Sequence, residues 1–228
     1  MIRCDETPKG AEFNRPCLRP GPWTRAIVLL GLVGLLVAAP CAWGQAAQRP
    51  EAPDSSAIRT AAAEVALRPD DPDAHNRLGS AYYAIGAFDR AVAAFRRAVV
   101  LDPRDVAGLV NIGVVLNEQG NAAEALEHFR RALAVDPQDV IATANEGIAH
   151  YALGDTAAAV VSWMRALDSD PGSVLAHFYL GIAFADAGIV AEAIREWEAV
   201  IAAESEGAAA AQARMNIARI RERAPSEN

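Results

Sequence analysis

Apolar and small residues recur along most of this chain at spacings of three and four, the signature of helices buried on one face. Between Pro72 and Ile85 the positions Ala74, Leu78, Ala81, Tyr82 and Ile85 fall on one such face. Gly86 follows, and a glycine just past a helix end can take the left-handed conformation that closes the last carbonyls. A second stripe, Ala91, Ala94, Phe95 and Ala98, predicts a helix from about Phe88 to Leu101. Asp102-Pro103 ends it, because a residue before proline is pushed out of the helical region. The segment therefore reads as two helices joined by a short turn.

The same unit then returns three times. Gly79, Gly113, Gly147 and Gly181 are 34 residues apart, and Gly86, Gly120, Gly154 and Gly188 keep step with them. Ala91, Ala125, Ala159 and Ala193 form a third column, and Phe95, Phe129, Trp163 and Trp197 an aromatic one. Ala98, Ala132 and Ala166 are followed by Pro103, Pro137 and Pro171. Gly79 and Ala91 permit close approach where the two helices cross, and Phe95 can fill the space beside them. One unit buries too little to stand alone, so neighbours must stack on it.

These columns resemble the tetratricopeptide repeat, whose unit of about 34 residues carries a W-x2-L-G-x2-Y run, then A-x3-F, then a small residue and a proline. The resemblance implies an all-α fold, a right-handed superhelical solenoid of antiparallel helix pairs, with repeats at 72–105, 106–139, 140–173 and 174–207. The chain departs from the pattern in places. Its tryptophan column reads His75, Leu109, Thr143 and His177, its tyrosine column Tyr82, Leu116, His150 and Phe184, and Ser205 replaces the last proline. Residues 55–71 align with the second helix of a unit and are expected to cap the array at its N-terminal end. At the other end Met215-Asn216-Ile217-Ala218 echoes Val110-Asn111-Ile112-Gly113, so 208–224 is read as a closing helix with arginines on its outer face. Residues 225–228 are expected to form a disordered tail.

The N-terminus follows a different pattern. Arg25, the apolar run Ala26 to Ala39 and the small residues around Ala42-Trp43-Gly44 have the layout of a secretory signal peptide, predicted to be cut after Gly44. An uncleaved membrane anchor is the other reading of 1–44, although the apolar stretch from Ala26 to Trp43 contains Pro40 and falls short of the roughly 20 residues a span needs. Cys41 follows Pro40 rather than the small residue that lipidation requires. Residues 45–54, rich in proline and polar groups, read as a flexible linker. The expected location is periplasmic or secreted, with inner-membrane anchoring facing the periplasm if the segment is retained.

Composition narrows the chemistry. The net charge is −8 and Lys9 is the one lysine, which argues against binding nucleic acid. All three cysteines, Cys4, Cys17 and Cys41, precede the expected cut, leaving no thiol to form a disulfide or a metal site beyond it. His75, His128, His150 and His177 are not at helical i, i+3 or i+4 spacing from one another, so they are read as packing residues rather than metal ligands. Phosphate-binding loops, nucleophile elbows and zinc-protease motifs are missing from the sequence. Asp102, Asp136 and Asp170 each precede a proline, which marks a repeated turn rather than an acid–base pair. No enzyme, no cofactor and no metal are expected.

The resemblance also implies a concave surface lined by the first helix of each unit. Its second, fifth and ninth positions are Asp73, Asn76 and Ser80, then Ala107, Val110 and Val114, then Ile141, Ala144 and Ile148, then Leu175, Phe178 and Ile182. The surface thus turns apolar toward the C-terminus. Around it stand Tyr83, Asn111, Asn117, Glu118, Asn145, Tyr151, Tyr179 and Asp186. Family members that grip a terminal carboxylate use lysine or arginine there, whereas among the second, fifth, sixth, ninth, twelfth and thirteenth positions of the four units only Arg77 is basic, which argues against that mode. An apolar strip with a polar rim suits an amphipathic helix or an extended apolar peptide of another protein. The same side chains would also serve as packing against neighbouring helices, or be covered by the linker or by a second copy of the chain. The sequence thus reads as an exported, non-enzymatic interaction scaffold, with a self-assembling or membrane-tethered spacer as the other reading.

Overall fold

The computed structural model describes residues 55–223, which form ten α-helices and no strands. The expected signal segment 1–44, linker 45–54 and tail 225–228 lie outside the described residues. The helices are α1 (Ser55–Leu67), α2 (Pro72–Ala84), α3 (Phe88–Leu101), α4 (Val106–Glu118) and α5 (Ala122–Val135). They continue as α6 (Val140–Ala152), α7 (Thr156–Ser169), α8 (Val174–Asp186), α9 (Val190–Ala203) and α10 (Ala208–Arg223). Consecutive helices pack in pairs, α2 with α3, α4 with α5, α6 with α7 and α8 with α9, and each pair stacks on the next to give a solenoid. Helix α1 packs on α2 as the second helix of a preceding unit would, and α10 packs on α9 as the first helix of a following one.

The glycine and aromatic columns meet inside each pair. A Cβ built on Gly79 would lie 2.5 Å from the Phe95 ring, and one on Gly113 would lie 2.5 Å from Phe129. Gly147 and Gly181 stand in the same relation to Trp163 and Trp197 at 2.5 and 2.4 Å. The aromatic ring occupies the volume the glycine leaves, and all four rings are buried. The second glycine column serves the turns: Gly86, Gly120, Gly154 and Gly188 have φ between 73° and 84°, the left-handed region that closes the helix before them.

Aspartates punctuate the units. Asp102, Asp136 and Asp170 end α3, α5 and α7 in extended backbone, and their carboxylates accept from the amides of Arg104, Gln138 and Gly172 at 2.9, 3.0 and 2.9 Å. Three residues after two of these, Asp105 and Asp139 cap the next helices by accepting from the amides of Gly108 and Ala142. The last unit ends its second helix in the same backbone conformation without proline. Glu204 has φ −140° and ψ 94°, close to the −129° and 101° of Asp102, although Ser205 follows it.

A candidate docking groove

The first helices α2, α4, α6 and α8 adjoin one another along the array. Their outward positions divide into reachable and unreachable side chains. Ile141 is 62% exposed, and Val114, Ile148 and Leu175 on the same set of helices are half-buried, as are Tyr83, Asn111, Asn117 and Tyr151. Six residues expected on this surface are instead taken into the fold, Asn76 and Ala144 among them. Val110 belongs to the core cluster that also holds Ala142 and Ala149 of the following unit. Phe178 and Ile182 share a cluster with Ala213, Ile217 and Ile220 of α10. Asn145 is buried and its amide donates to the carbonyl of Ile141 at 2.8 Å, within its own helix. The cause is stacking: the next first helix covers positions that would be open on an isolated unit.

Polar groups on the same side are paired across units in a way the sequence reading missed. The Tyr83 hydroxyl donates to the Glu118 carboxylate, and the Tyr151 hydroxyl donates to Asp186, each reaching 35 residues onward to the next first helix. Burial first, then the bonded carboxylate, pushes both phenols up in pKa. Burial also raises Asp186, against the lowering effect of the Tyr151 bond. Tyr179 is pushed up to about 12, chiefly by burial and further by the charge of Glu118, which places it within electrostatic reach of a carboxylate two units away. Its ring stacks on Trp163 with centroids 5.7 Å apart and planes at 17°. The spacing of 35, one repeat plus one residue, is the signal that could have revealed these pairs. It becomes meaningful only once adjacent first helices are known to align.

His75 and His177 hold turns from the tryptophan column of their units. His75 Nε2 lies 2.9 Å from the carbonyl oxygen of Pro69, and His177 Nε2 lies 3.0 Å from that of Pro171, six residues earlier in each case. His177 Nδ1 also contacts Glu196 at 2.7 Å. His128 is different, half-buried with Nδ1 unpaired. Burial and then the nearby Arg131 lower its pKa. Among the described residues no three of His, Cys, Asp or Glu come together as a metal site requires. None of the described helices is long and apolar enough to cross a membrane.

A tetratricopeptide repeat model matches residues 55–106, 110–174 and 145–209, together more than half of the chain. The chain belongs to the tetratricopeptide repeat family. Among solved structures it is similar to TTC0263, a thermophilic tetratricopeptide repeat protein of Thermus thermophilus, at 18% identity and a TM-score of 0.63, covering 71% of this chain and 87% of that one. It is also similar to MamA, residues 41 to the end, from Desulfovibrio magneticus RS-1, at 22% identity and a TM-score of 0.56, covering 68% and 88%. Another MamA structure matches at 21% identity with a TM-score of 0.54, covering 65% and 87%. These likenesses show the fold. No curated protein matches the chain. Tetratricopeptide repeat proteins are generally non-enzymatic scaffolds that bind other proteins, and the described helices of this chain form the same repeat solenoid.

Proposed function

We propose that this chain is an exported scaffold that binds an apolar peptide or an amphipathic helix of another protein along the groove of α2, α4, α6 and α8. The observation that carries the reading is the reachable apolar strip: exposed Ile141 with half-buried Val114, Ile148 and Leu175 on the same set of helices, and the polar side chains of Tyr83, Asn111, Asn117 and Tyr151 on those helices. A strip of this kind offers an amphipathic guest a place to bury its own apolar face. Export rests on Arg25, the run Ala26 to Ala39 and the small residues to Gly44, and periplasmic or secreted placement follows from it.

The test is Ile141→Asp combined with Ile148→Asp, assayed against a labelled amphipathic leucine-rich helix. Ile141 is exposed, so a charge there leaves the fold intact, and circular dichroism monitors the double variant. Retained helicity with lost peptide binding is the expected result. Retained binding, or loss of helicity on changing Ile148 alone, assigns the strip to packing. Mass measurement of the chain recovered from the cell exterior or periplasm checks the export proposal, with a mature N-terminus at Gln45 as the expected value.

A further inference from the structure

The two ends of the array are complementary halves of one unit. Helix α10 packs on α9 as a first helix and α1 packs on α2 as a second helix, and among the described residues neither has the helix that completes its pair. Terminal helices of a solenoid need only a polar outer face. Each end nevertheless exposes a large apolar side chain in a column that is covered elsewhere. Met215 is 56% exposed, whereas its counterparts Asn76, Val110, Ala144 and Phe178 in the four units are all buried, at 9% or less. Leu67 is 82% exposed, whereas its counterparts Leu101 and Val135 are half-buried, and what α1 lacks relative to α3 and α5 are the helices before it. Between α9 and α10 an open cleft is floored by Ile201, Ile217 and Ala218 and rimmed by Arg214 and Arg221. Ala218 aligns with Gly113, so this is the face that the second helix covers in each internal unit.

We infer that a second copy of the chain covers this face: α1 of one copy docks on α10 of another as its second helix, completes a fifth pair and continues the solenoid across the junction. The contact repeats the stacking that the units already make with one another. Its register is written in the columns that differ at the two ends. Ala61 stands where Phe95 stands one unit later, and Ala218 stands in the glycine column. A Cβ in that column meets a facing ring at 2.5 Å in the second unit, whereas alanine against alanine leaves room for both methyls. One turn along the antiparallel pair, Glu64 takes the column of Ala98 and Arg214 that of Leu109, so opposite charges face each other where internal units have neutral side chains. Glu64 is also met by Arg68 and Arg77 of its own chain, so this charge pair is minor beside the burial of Met215 and Leu67. Charge complementarity is broader than the pair, because α10 carries four arginines and one glutamate in a chain of net charge −8. The incoming α2 then follows α10 as each first helix follows the last, and it covers Met215 as the third unit covers Val110. The two docking faces are unlike, so the contact does not close on a dimer and repeats into an open row of copies.

The test is the mass of the full chain in solution, followed by sedimentation velocity as its concentration is raised. Species that grow copy by copy are expected. Leu67→Asp and Met215→Asp change exposed side chains, so both keep the fold, which circular dichroism checks. Each alone should weaken association by about tenfold or more, the factor carried by one Leu or Met contact that can no longer be buried. Mixed in equal amounts the two variants should form dimers and nothing larger, because Leu67→Asp retains an intact α10 face and Met215→Asp an intact α1 face. Val161→Asp, on the exposed side of α7, should associate as the native chain does. A native chain that stays monomeric at every concentration, growth unaltered in both end variants, or a mixture no larger than its components would overturn the inference. Association lost in Ile141→Asp and kept in the end variants would overturn it as well, by placing the second copy in the groove.

Discussion

The first two repeats and the last two solve one packing problem with different side chains. In the second unit the ring is Phe129, set among Leu109, Ile112, Val115, Leu116 and Leu126. In the third it is Trp163, and the buried positions of Leu109, Val110 and Val115 are taken by the smaller Thr143, Ala144 and Ala149. Where the surrounding side chains shrink, the ring grows, so the volume between the helices stays filled at similar backbone spacing. The larger ring brings a buried N–H that needs an acceptor. Trp163 Nε1 donates to the carbonyl of Ala144 at 3.0 Å and Trp197 Nε1 to that of Phe178 at 3.1 Å, the fifth position of the unit in both cases. The opposing glycine stays the same under either ring.

The comparison is broken most severely by removing the rings. Phe129→Ala and Trp163→Ala should each lose about 3–5 kcal/mol of stability in urea unfolding, with the tryptophan variant at the upper end because the larger ring leaves the larger cavity. A smaller loss for Trp163→Ala than for Phe129→Ala would contradict volume compensation. Next come the glycines. Gly113→Ala and Gly147→Ala put a methyl 2.5 Å from the facing ring and should each lose about 1–3 kcal/mol. Adding Phe129→Leu to Gly113→Ala should recover part of that loss, which a double-mutant cycle reads directly.

Substituting Trp163→Phe sharpens the comparison. It removes the N–H together with some volume and should lose about 1 kcal/mol from the hydrogen bond and a further part from packing. The smallest expected effect concerns His128, whose column is occupied by Glu196 in the fourth unit. There Glu196 is met by His177, whereas the residue in the His177 column of the second unit is Leu109, and His128 Nδ1 is left unpaired. Burial lowers the pKa of His128 below its ordinary 6.5, so the unfolded chain takes up the proton first. Stability is therefore held above pH 6.5 and lost as the pH falls below it. Melting curves at pH 7.5 and 5.5 should show a larger acid-side loss in the native chain than in His128→Leu.

Much of this architecture was legible because it is written in columns. A glycine facing an aromatic, a glycine in a turn and an aspartate before a proline each recur at one interval, and each has a local physical cause. The helix α3 occupies Phe88–Leu101, as its stripe indicates, and the helix end at Glu204 survives the loss of proline because extended backbone there needs only an end to the helix. The groove was less legible. Val110, Phe178 and Ile182 look as open as Val114 and Ile141 in the sequence, and only stacking of the following helix separates them. The histidine contacts to Pro69 and Pro171 depend on how the chain folds back across the turn, which no helical spacing reveals.

The central claim is that the first-helix side of the array is where a partner sits. Site-specific photocrosslinking in the intact cell tests it, with the reactive side chain placed at Ile141 in the groove or at Val161 on α7, both well exposed at 62% and 66%. The account predicts adducts to another protein from position 141 and none from position 161. Adducts from 161 alone, or only copies of this chain trapped at 141, would contradict it.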